Sequence, residues 1–136
     1  MQTILGAGGI IGRELAQVLP QYTNSIRLVA RNPKAVVGNE ELVSADLLNR
    51  EATIKAVEGS EVVYLCVGLE YNIKVWQASW PRIMDNIIVA CAEHKAKLVF
   101  FDNIYMYHPL VTPNITEAAS KDPQSEKGKV RAAILA

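Results

Sequence analysis

Four glycines near the start of the chain, in the stretch GAGGIIG, carry its strongest chemical signal. Gly6, Gly9 and Gly12 are spaced three residues apart, and Gly8 is an additional glycine among them. Glycine adopts positive φ without a steric cost, and a backbone that lacks Cβ lets a bound anion come close. The amides that open the following helix would face that anion, and the helix macrodipole would favour its negative charge. The spacing therefore predicts a diphosphate-binding turn, with a tight turn that binds no ligand as the alternative.

Gly12 falls inside the predicted first helix, where glycine costs about 1 kcal/mol relative to alanine. Close packing of this helix on the neighbouring strand would explain that local cost. A P-loop is excluded, because no Gly-Lys-Ser/Thr sequence follows the glycines.

The elements around the glycine turn predict an α/β fold. Short apolar runs predict strands, and helical patterns separate them; the strands are at 2–5, 25–30, 41–47, 61–68 and 96–103, and the helices at 10–19, 50–59 and 73–95. The apolar runs are continuous rather than alternating, which is typical of parallel strands covered on both faces. Pro81 predicts a kink or a restart in the third helix. We therefore predict a doubly wound parallel sheet of strand order 3-2-1-4-5.

Composition excludes several classes of function. The chain has 14 basic and 14 acidic residues and a formal net charge of zero, which gives no electrostatic basis for binding nucleic acid or an anionic membrane. It contains no apolar run of about 18 residues and no signal-peptide pattern. Cys66 and Cys91 lie in apolar surroundings without metal-ligand spacing. They predict reduced thiols in a cytoplasmic protein and no metal site.

Several segments resemble the short-chain dehydrogenase/reductase superfamily, specifically its extended and atypical members, the NAD-dependent epimerase/dehydratase-like proteins. GAGGIIG has their glycine spacing, VARNPKA is similar to the end of their second strand, and LVFFDNIYMY occupies the place of their fifth strand. The resemblance covers nearly the whole chain. It implies an NAD(P)-binding Rossmann domain over residues 1–136, belonging to an oxidoreductase or an epimerase/dehydratase that acts on an unidentified small molecule.

The resemblance also implies a set of cofactor-binding residues. Asp46 matches the carboxylate that accepts from the adenine amino group, and Leu47 the residue that packs on the ring; the alternative role of Asp46 is a helix N-cap. At the end of the fourth strand, Gly68 would let the backbone approach the nicotinamide ribose, or would only end the strand. The remaining expected contacts are Gly6, Gly8, Gly9, Ile10, Ile11 and Gly12 in the glycine turn, and Cys66 and Val67 beside Gly68.

The corner after the second strand distinguishes the two pyridine dinucleotides. An NAD-specific site usually has a carboxylate there, whereas this chain has Arg31, Asn32 and Lys34. A 2′-phosphate could accept charge-assisted hydrogen bonds from Arg31 and Lys34, with Arg13 as a third candidate, each contributing about 1.5–3 kcal/mol. We therefore predict a preference for NADP over NAD, with solvated turn residues as the alternative.

The catalytic residues are not assigned by the resemblance. Active family members carry a Tyr-x-x-x-Lys pair on the helix after strand 5, and the aligned positions here are Lys127 and Arg131. The usual serine pair is replaced by Asp102 and Asn103. Both departures put the family's catalytic mechanism in doubt, so a non-catalytic NAD(P)-binding sensor or scaffold stays an alternative.

The length of the chain also differs from that of the extended family members, which continue into a C-terminal substrate lobe. This sequence ends at Ala136, inside the helix that begins near Ser125. We expect a fragment truncated at its C-terminus. The alternative is a minimal domain in which the exposed edge of strand 5 is covered by a homodimer or by another partner.

Overall fold

The computed structural model describes residues 1–108 and 114–136. The strands are β1 (Gln2–Leu5), β2 (Ile26–Ala30), β3 (Glu41–Ser44), β4 (Val62–Leu65) and β5 (Lys97–Phe100). The helices are α1 (Ile10–Val18), α2 (Arg50–Val57), α3 (Ile73–His94) and α4 (Glu126–Ile134), with a short 3-10 turn at Leu19–Gln21 after α1. None of the helices described is both long enough and apolar enough to span a bilayer.

The strands form one five-stranded sheet in the order β3-β2-β1-β4-β5, and neighbouring strands are parallel throughout. The predicted strand order is therefore confirmed. Gln2 of β1 is in register with Ile26 on one side and Val62 on the other, so the carboxyl ends of these three strands lie at one edge of the sheet. The centre of the sheet is fully buried, as its continuous apolar runs predict; its core residues include Ile4, Leu5, Leu28, Val29, Val63 and Leu65.

The structure corrects four details of the sequence prediction. β3 ends at Ser44 rather than at residue 47, β4 at Leu65 rather than at residue 68, and β5 at Phe100 rather than at residue 103. β4 stops because its partner β1 turns away. The Cys66 amide still donates to the Leu5 carbonyl, but after Leu5 the β1 segment enters the glycine turn and no longer pairs with β4. The predicted restart at Pro81 is wrong, because α3 continues through it. Trp80 and Ile83, on either side of Pro81, are both buried.

The chain divides into two compact units. Unit 1 consists of Met1–Gly68 and Asp85–Phe101 and contains the whole sheet, α1, α2 and the C-terminal half of α3. Unit 2 consists of Leu69–Met84 and Asp102–Ala136 and contains the N-terminal half of α3 and α4.

Candidate functional site

Two of the glycines in the first turn are required by the backbone itself. Gly6 has φ +89°, and a Cβ there would lie 2.7 Å from the Val67 nitrogen. A Cβ on Gly12 would lie 2.5 Å from the Gly6 carbonyl oxygen and 2.9 Å from the Ala7 Cα. Side chains cannot occupy such distances without moving the backbone. Gly12 thus lets α1 pack directly on the end of β1, which is the close packing that its position in the sequence predicts.

The other two glycines are not required in this way. A Cβ on Gly8 would meet only the Ala30 Cβ, at 4.0 Å, and one on Gly9 would make ordinary contacts of 3.5 Å and 3.9 Å with the carbonyl oxygens of Gly6 and Cys66. Neither Gly8 nor Gly9 is among the glycines of the described residues that have a positive φ. The protein's own packing therefore does not explain why positions 8 and 9 lack side chains.

The start of α1 also lacks the cap that the comparable helices possess. Asn49 accepts from the Ala52 amide at the start of α2, and Ser125 accepts from the Gly128 amide at the start of α4. The N-cap of α1 is Gly9, which has no side chain to accept, and its first turn carries no acidic residue. Ile10 follows it and is 81% exposed, and Ile11 is also exposed. The first amides of α1 are thus left for an external acceptor, such as an anion.

The end of β4 lies against the glycine turn. The backbone of Cys66 and Val67 makes the close approach to Gly6, and both side chains are half-buried. Gly68 is exposed, and a Cβ there would find open space. Burial raises the pKa of the Cys66 thiol above its usual value and that of Cys91 to about 11, so both stay protonated at neutral pH. Both cysteines are free.

The corner after β2 consists of exposed polar residues. Arg31, Asn32 and Lys34 are all exposed. Within residues 1–108 and 114–136, neither Arg31 nor Lys34 has a salt-bridge partner, and neither does Arg13 on α1. The backbone of the corner is held nevertheless, because the Ser44 hydroxyl donates to the Arg31 carbonyl over 2.7 Å.

The side chain of Glu40 organises the loop that continues from this corner, a feature with no signal in the sequence. Glu40 accepts hydrogen bonds from the amides of Val36, Val37 and Gly38 over 3.1, 2.6 and 2.8 Å. Burial raises the pKa of Glu40, but these backbone hydrogen bonds outweigh it and hold the pKa below its usual value. The charged carboxylate therefore binds these amides more strongly than the protonated form does.

The turn between β3 and α2 presents Asp46 and Leu47. Asp46 is exposed, and its Oδ1 accepts from the Leu48 amide over 3.0 Å. Its Oδ2 accepts no hydrogen bond from any residue that the structure describes. The alternative role of Asp46 as a helix N-cap is wrong, because Asn49 caps α2. Leu47 is half-buried, so part of its side chain is accessible.

Asn86 of α3 holds this turn and is not among the residues predicted from the sequence. Its side chain is buried, and its Nδ2 donates to the Leu47 carbonyl over 2.9 Å. A polar residue among the buried apolar positions 83, 84, 87 and 90 of α3 was the available signal.

Unit 2 contains an aromatic cluster, formed by Tyr71, Trp76, Trp80 and Tyr105. Centroid distances between neighbouring rings are 6.1–6.4 Å. Two cations of α4, one turn apart, pack on it: the Lys127 ammonium lies 3.7 Å from the Tyr71 centroid, and the Arg131 guanidinium lies 4.0 Å from the Trp80 centroid. Arg131 also forms a buried ion pair with Asp102 over 3.3 Å. A hydrogen bond to Tyr71 raises the pKa of Tyr105, so its phenol is neutral at pH 7.

The cluster explains what stands at the positions aligned with the family's catalytic pair. Lys127 and Arg131 pack on aromatic rings within unit 2, and Gly128 between them lets α4 approach the Tyr105 carbonyl, where a Cβ would lie 2.1 Å away.

No group of three His, Cys, Asp or Glu residues in the described parts of the chain could hold a metal ion.

Comparison with known proteins agrees with this geometry. A family model described as NAD(P)H-binding matches residues 6–130, which include the glycine turn and reach into α4. No curated protein matches the chain.

Solved structures share the fold. Uronate dehydrogenase from Agrobacterium tumefaciens is 22% identical, with a TM-score of 0.83 over 98% of this chain and 52% of its own. A short-chain dehydrogenase/reductase superfamily protein from the same organism, with bound NAD, is 19% identical, with a TM-score of 0.81 over 99% and 43%. UDP-N-acetylglucosamine 4-epimerase from Bacillus cereus is 17% identical, with a TM-score of 0.78 over 98% and 46%. The chain spans about half the length of these structures.

Proposed function

Because the chain belongs to the NAD(P)H-binding family, we propose that the carboxyl edge of its sheet in unit 1 holds the dinucleotide. The diphosphate would lie on the first amides of α1, with the helix macrodipole favouring its charge. The proposed contacts in this turn are Gly6, Gly8, Gly9, Ile10, Ile11 and Gly12.

One observation carries this proposal: Gly8 and Gly9 lack side chains at positions where the protein itself has room for them. Natural sequences keep glycine against its entropic cost where the conformation or a close approach requires it. Here the conformation does not require it, and the neighbouring helix start has no cap of its own. A diphosphate that approaches the backbone at this point supplies the missing reason.

The adenosine end would lie along β2 and the β3–α2 turn. Asp46 has a free oxygen for the adenine amino group, and Leu47 offers a partly exposed apolar side chain to the ring. Arg31 and Lys34 are exposed cations without carboxylate partners in the described structure, and Asn32 between them offers further donors. We propose that these three residues receive a 2′-phosphate, so that NADP binds more tightly than NAD.

The nicotinamide end would lie at Cys66, Val67 and Gly68, where the backbone is close to the glycine turn.

The whole protein would then be an oxidoreductase or an epimerase/dehydratase that acts on a small molecule, with hydride transfer as the chemistry that the cofactor supplies when bound. We propose that residues 1–136 form its single dinucleotide-binding domain, since the family match spans parts of both units. The two free thiols suit a cytoplasmic location, where thiols stay reduced.

A second candidate is a dinucleotide-binding sensor or scaffold without catalysis. The aromatic cluster favours it, because Lys127 and Arg131 replace the family's proton-transfer pair and are engaged in packing. In the described sheet β5 is an edge strand, and a homodimer that covers it would suit this candidate.

Thermal unfolding of the chain with NADP, NAD and ATP tests the binding proposal. Ligand at one hundred times its Kd adds about 2.7 kcal/mol to the free energy of unfolding. We expect a rise in Tm that is largest with NADP, smaller with NAD and absent with ATP. No rise with either pyridine dinucleotide would refute the proposal.

Turnover separates the two candidates. The full-length protein would be assayed for NADPH oxidation against a panel of carbonyl compounds that includes sugar acids and nucleotide sugars. Reduction of any member, with NADPH oxidised in step, supports the enzyme. Conversion of a nucleotide sugar without net loss of NADPH also supports it, because an epimerase restores its cofactor in each cycle. Tight binding without conversion of any member supports the sensor.

A further inference from the structure

Asn86 is a buried polar side chain of α3. Packing alone does not explain why a polar residue occupies this position. It is 2% exposed, and Ile87 and Ala90 on the same helix in unit 1 are buried apolar residues. Burying an amide in such surroundings is unfavourable unless its donors and acceptor are satisfied. Its partners are not on its own helix but on the β3–α2 turn and on α2, 36 to 39 residues earlier in the chain.

The orientation of the Asn86 amide is fixed from both sides. Its oxygen accepts from Arg50 Nε over 3.3 Å, and its nitrogen donates to the Leu47 carbonyl over 2.9 Å. Arg50 is itself held by an ion pair with Asp85, the residue before Asn86. A flipped amide would point its NH₂ group at a guanidinium and its oxygen at a carbonyl, so one orientation is strongly favoured.

The segment that Asn86 holds is the Asp46–Leu47 turn. On its β2 side the turn is attached by the Ala45 amide, which donates to the Ala30 carbonyl over 3.0 Å. On the other side the Leu47 carbonyl accepts from Asn86 and, more weakly, from the Thr53 hydroxyl over 3.3 Å. The exposed Asp46 carboxylate lies between these two attachments.

From this network we propose that Asn86 is a positioning residue for the adenine end of the dinucleotide. It acts through the Leu47 carbonyl and holds Asp46 and Leu47 in place before the ligand arrives. Without Asn86, the turn would have to become ordered when the ligand binds, and the entropy lost in that ordering would weaken binding. This inference rests on the proposed function.

Isothermal titration calorimetry of the full chain with NADP and etheno-NADP tests the inference. The adenine amino group is blocked in etheno-NADP, whereas the phosphates, riboses and nicotinamide are unchanged. We expect Asn86→Ala to weaken NADP binding by about fivefold to tenfold, which is the effect of one lost hydrogen bond. It should weaken etheno-NADP binding by less than about twofold, because that ligand already lacks the hydrogen bond to Asp46 and keeps only the weaker packing of its ring on Leu47.

A surface variant keeps the test informative if Asn86→Ala folds poorly. Arg50→Met removes the group that orients the Asn86 amide, and the Arg50 side chain is 53% exposed, so the fold should tolerate the change. We expect a loss of NADP affinity of about twofold to threefold, again with little change for etheno-NADP.

Ser60→Ala is the matched control. It removes another buried hydrogen bond, the 2.7 Å contact between Ser60 Oγ and Thr3 Oγ1, which lies before β4 at the opposite edge of the sheet. It should lower Tm and leave both affinities unchanged. Equal weakening of the two ligands by Asn86→Ala, no weakening of either, or the same selective loss in Ser60→Ala would overturn the inference. Failure of the unmodified chain to bind NADP would instead refute the proposed function.

Discussion

The turns that follow β1 and β2 lie at the same edge of the sheet and are built in opposite ways. The turn after β1 is defined by backbone atoms, since Gly6 and Gly12 leave no space for a Cβ. The corner after β2 is defined by exposed side chains, and its loop is closed by the carboxylate of Glu40. In the proposed function, the first turn would receive the diphosphate, and the second would select between the two dinucleotides.

This difference separates changes that damage the fold from changes that affect only the ligand. A substitution in the backbone-defined turn moves the main chain and should alter stability and binding together. A substitution in the exposed corner leaves the main chain in place and should alter selectivity alone. The variants below test that separation.

Gly12→Ala should have the largest effect. The new Cβ would overlap the Gly6 carbonyl oxygen, so α1 must move away from the end of β1. We expect the free energy of unfolding to fall by about 3 kcal/mol and NADP binding to be lost, measured by urea unfolding and calorimetry. Gly8→Ala is the control: its Cβ has room, so binding should weaken while stability is kept. Equal destabilisation by both variants would contradict the comparison.

Arg31→Asp should have the next largest effect, on NADP alone. The change replaces an exposed cation by a carboxylate, and NADPH affinity should fall about tenfold to a hundredfold. NADH affinity and Tm should stay nearly constant, since the guanidinium has no salt-bridge partner in the described structure. Fluorescence titration with both reduced cofactors measures the ratio, and an equal loss for the two would refute the NADP assignment.

Asp46→Asn should have a smaller effect. Asparagine keeps the oxygen that accepts from Leu48 but removes the charge offered to the adenine amino group. We expect NADP affinity to fall about threefold to fivefold at unchanged Tm. Unchanged affinity in calorimetry would count against the adenine contact.

Glu40→Gln should have the smallest effect, and it should depend on pH. The pKa of Glu40 in the folded chain is below its usual value of 4.5, so its charged form adds stability above that value. The contribution is lost as the pH falls through the folded-state pKa. Because the carboxylate is near the surface, the difference from the variant should be under about 1 kcal/mol at pH 7. Urea unfolding from pH 7 to 3 should show that difference shrinking; a constant difference would contradict the role of the charge.

The features that the sequence predicts well are those set by local rules. Glycine spacing predicts the turn at Gly6–Gly12, and continuous apolar runs predict the buried strands, because steric exclusion and burial act on short stretches. The order of the strands follows from the fold class that this alternation of strands and helices indicates. Asn86 could not be placed in this way, since its partner Leu47 is 39 residues away and only the folded sheet brings them together. The aromatic cluster is similar: the four-residue spacing predicts a shared face for Trp76 and Trp80, but not the packing of Lys127 on Tyr71.

The central claim, that the first amides of α1 receive the diphosphate, is tested most directly by titrating Gly9→Asp with NADP. Aspartate is a favoured N-cap and suits the helix macrodipole, so the variant should unfold at the same or higher urea concentration. Its carboxylate would occupy the place of the diphosphate and repel it, so NADP affinity should fall at least about a hundredfold. Stable protein that still binds NADP within about twofold of the unmodified chain would show that the diphosphate does not lie there.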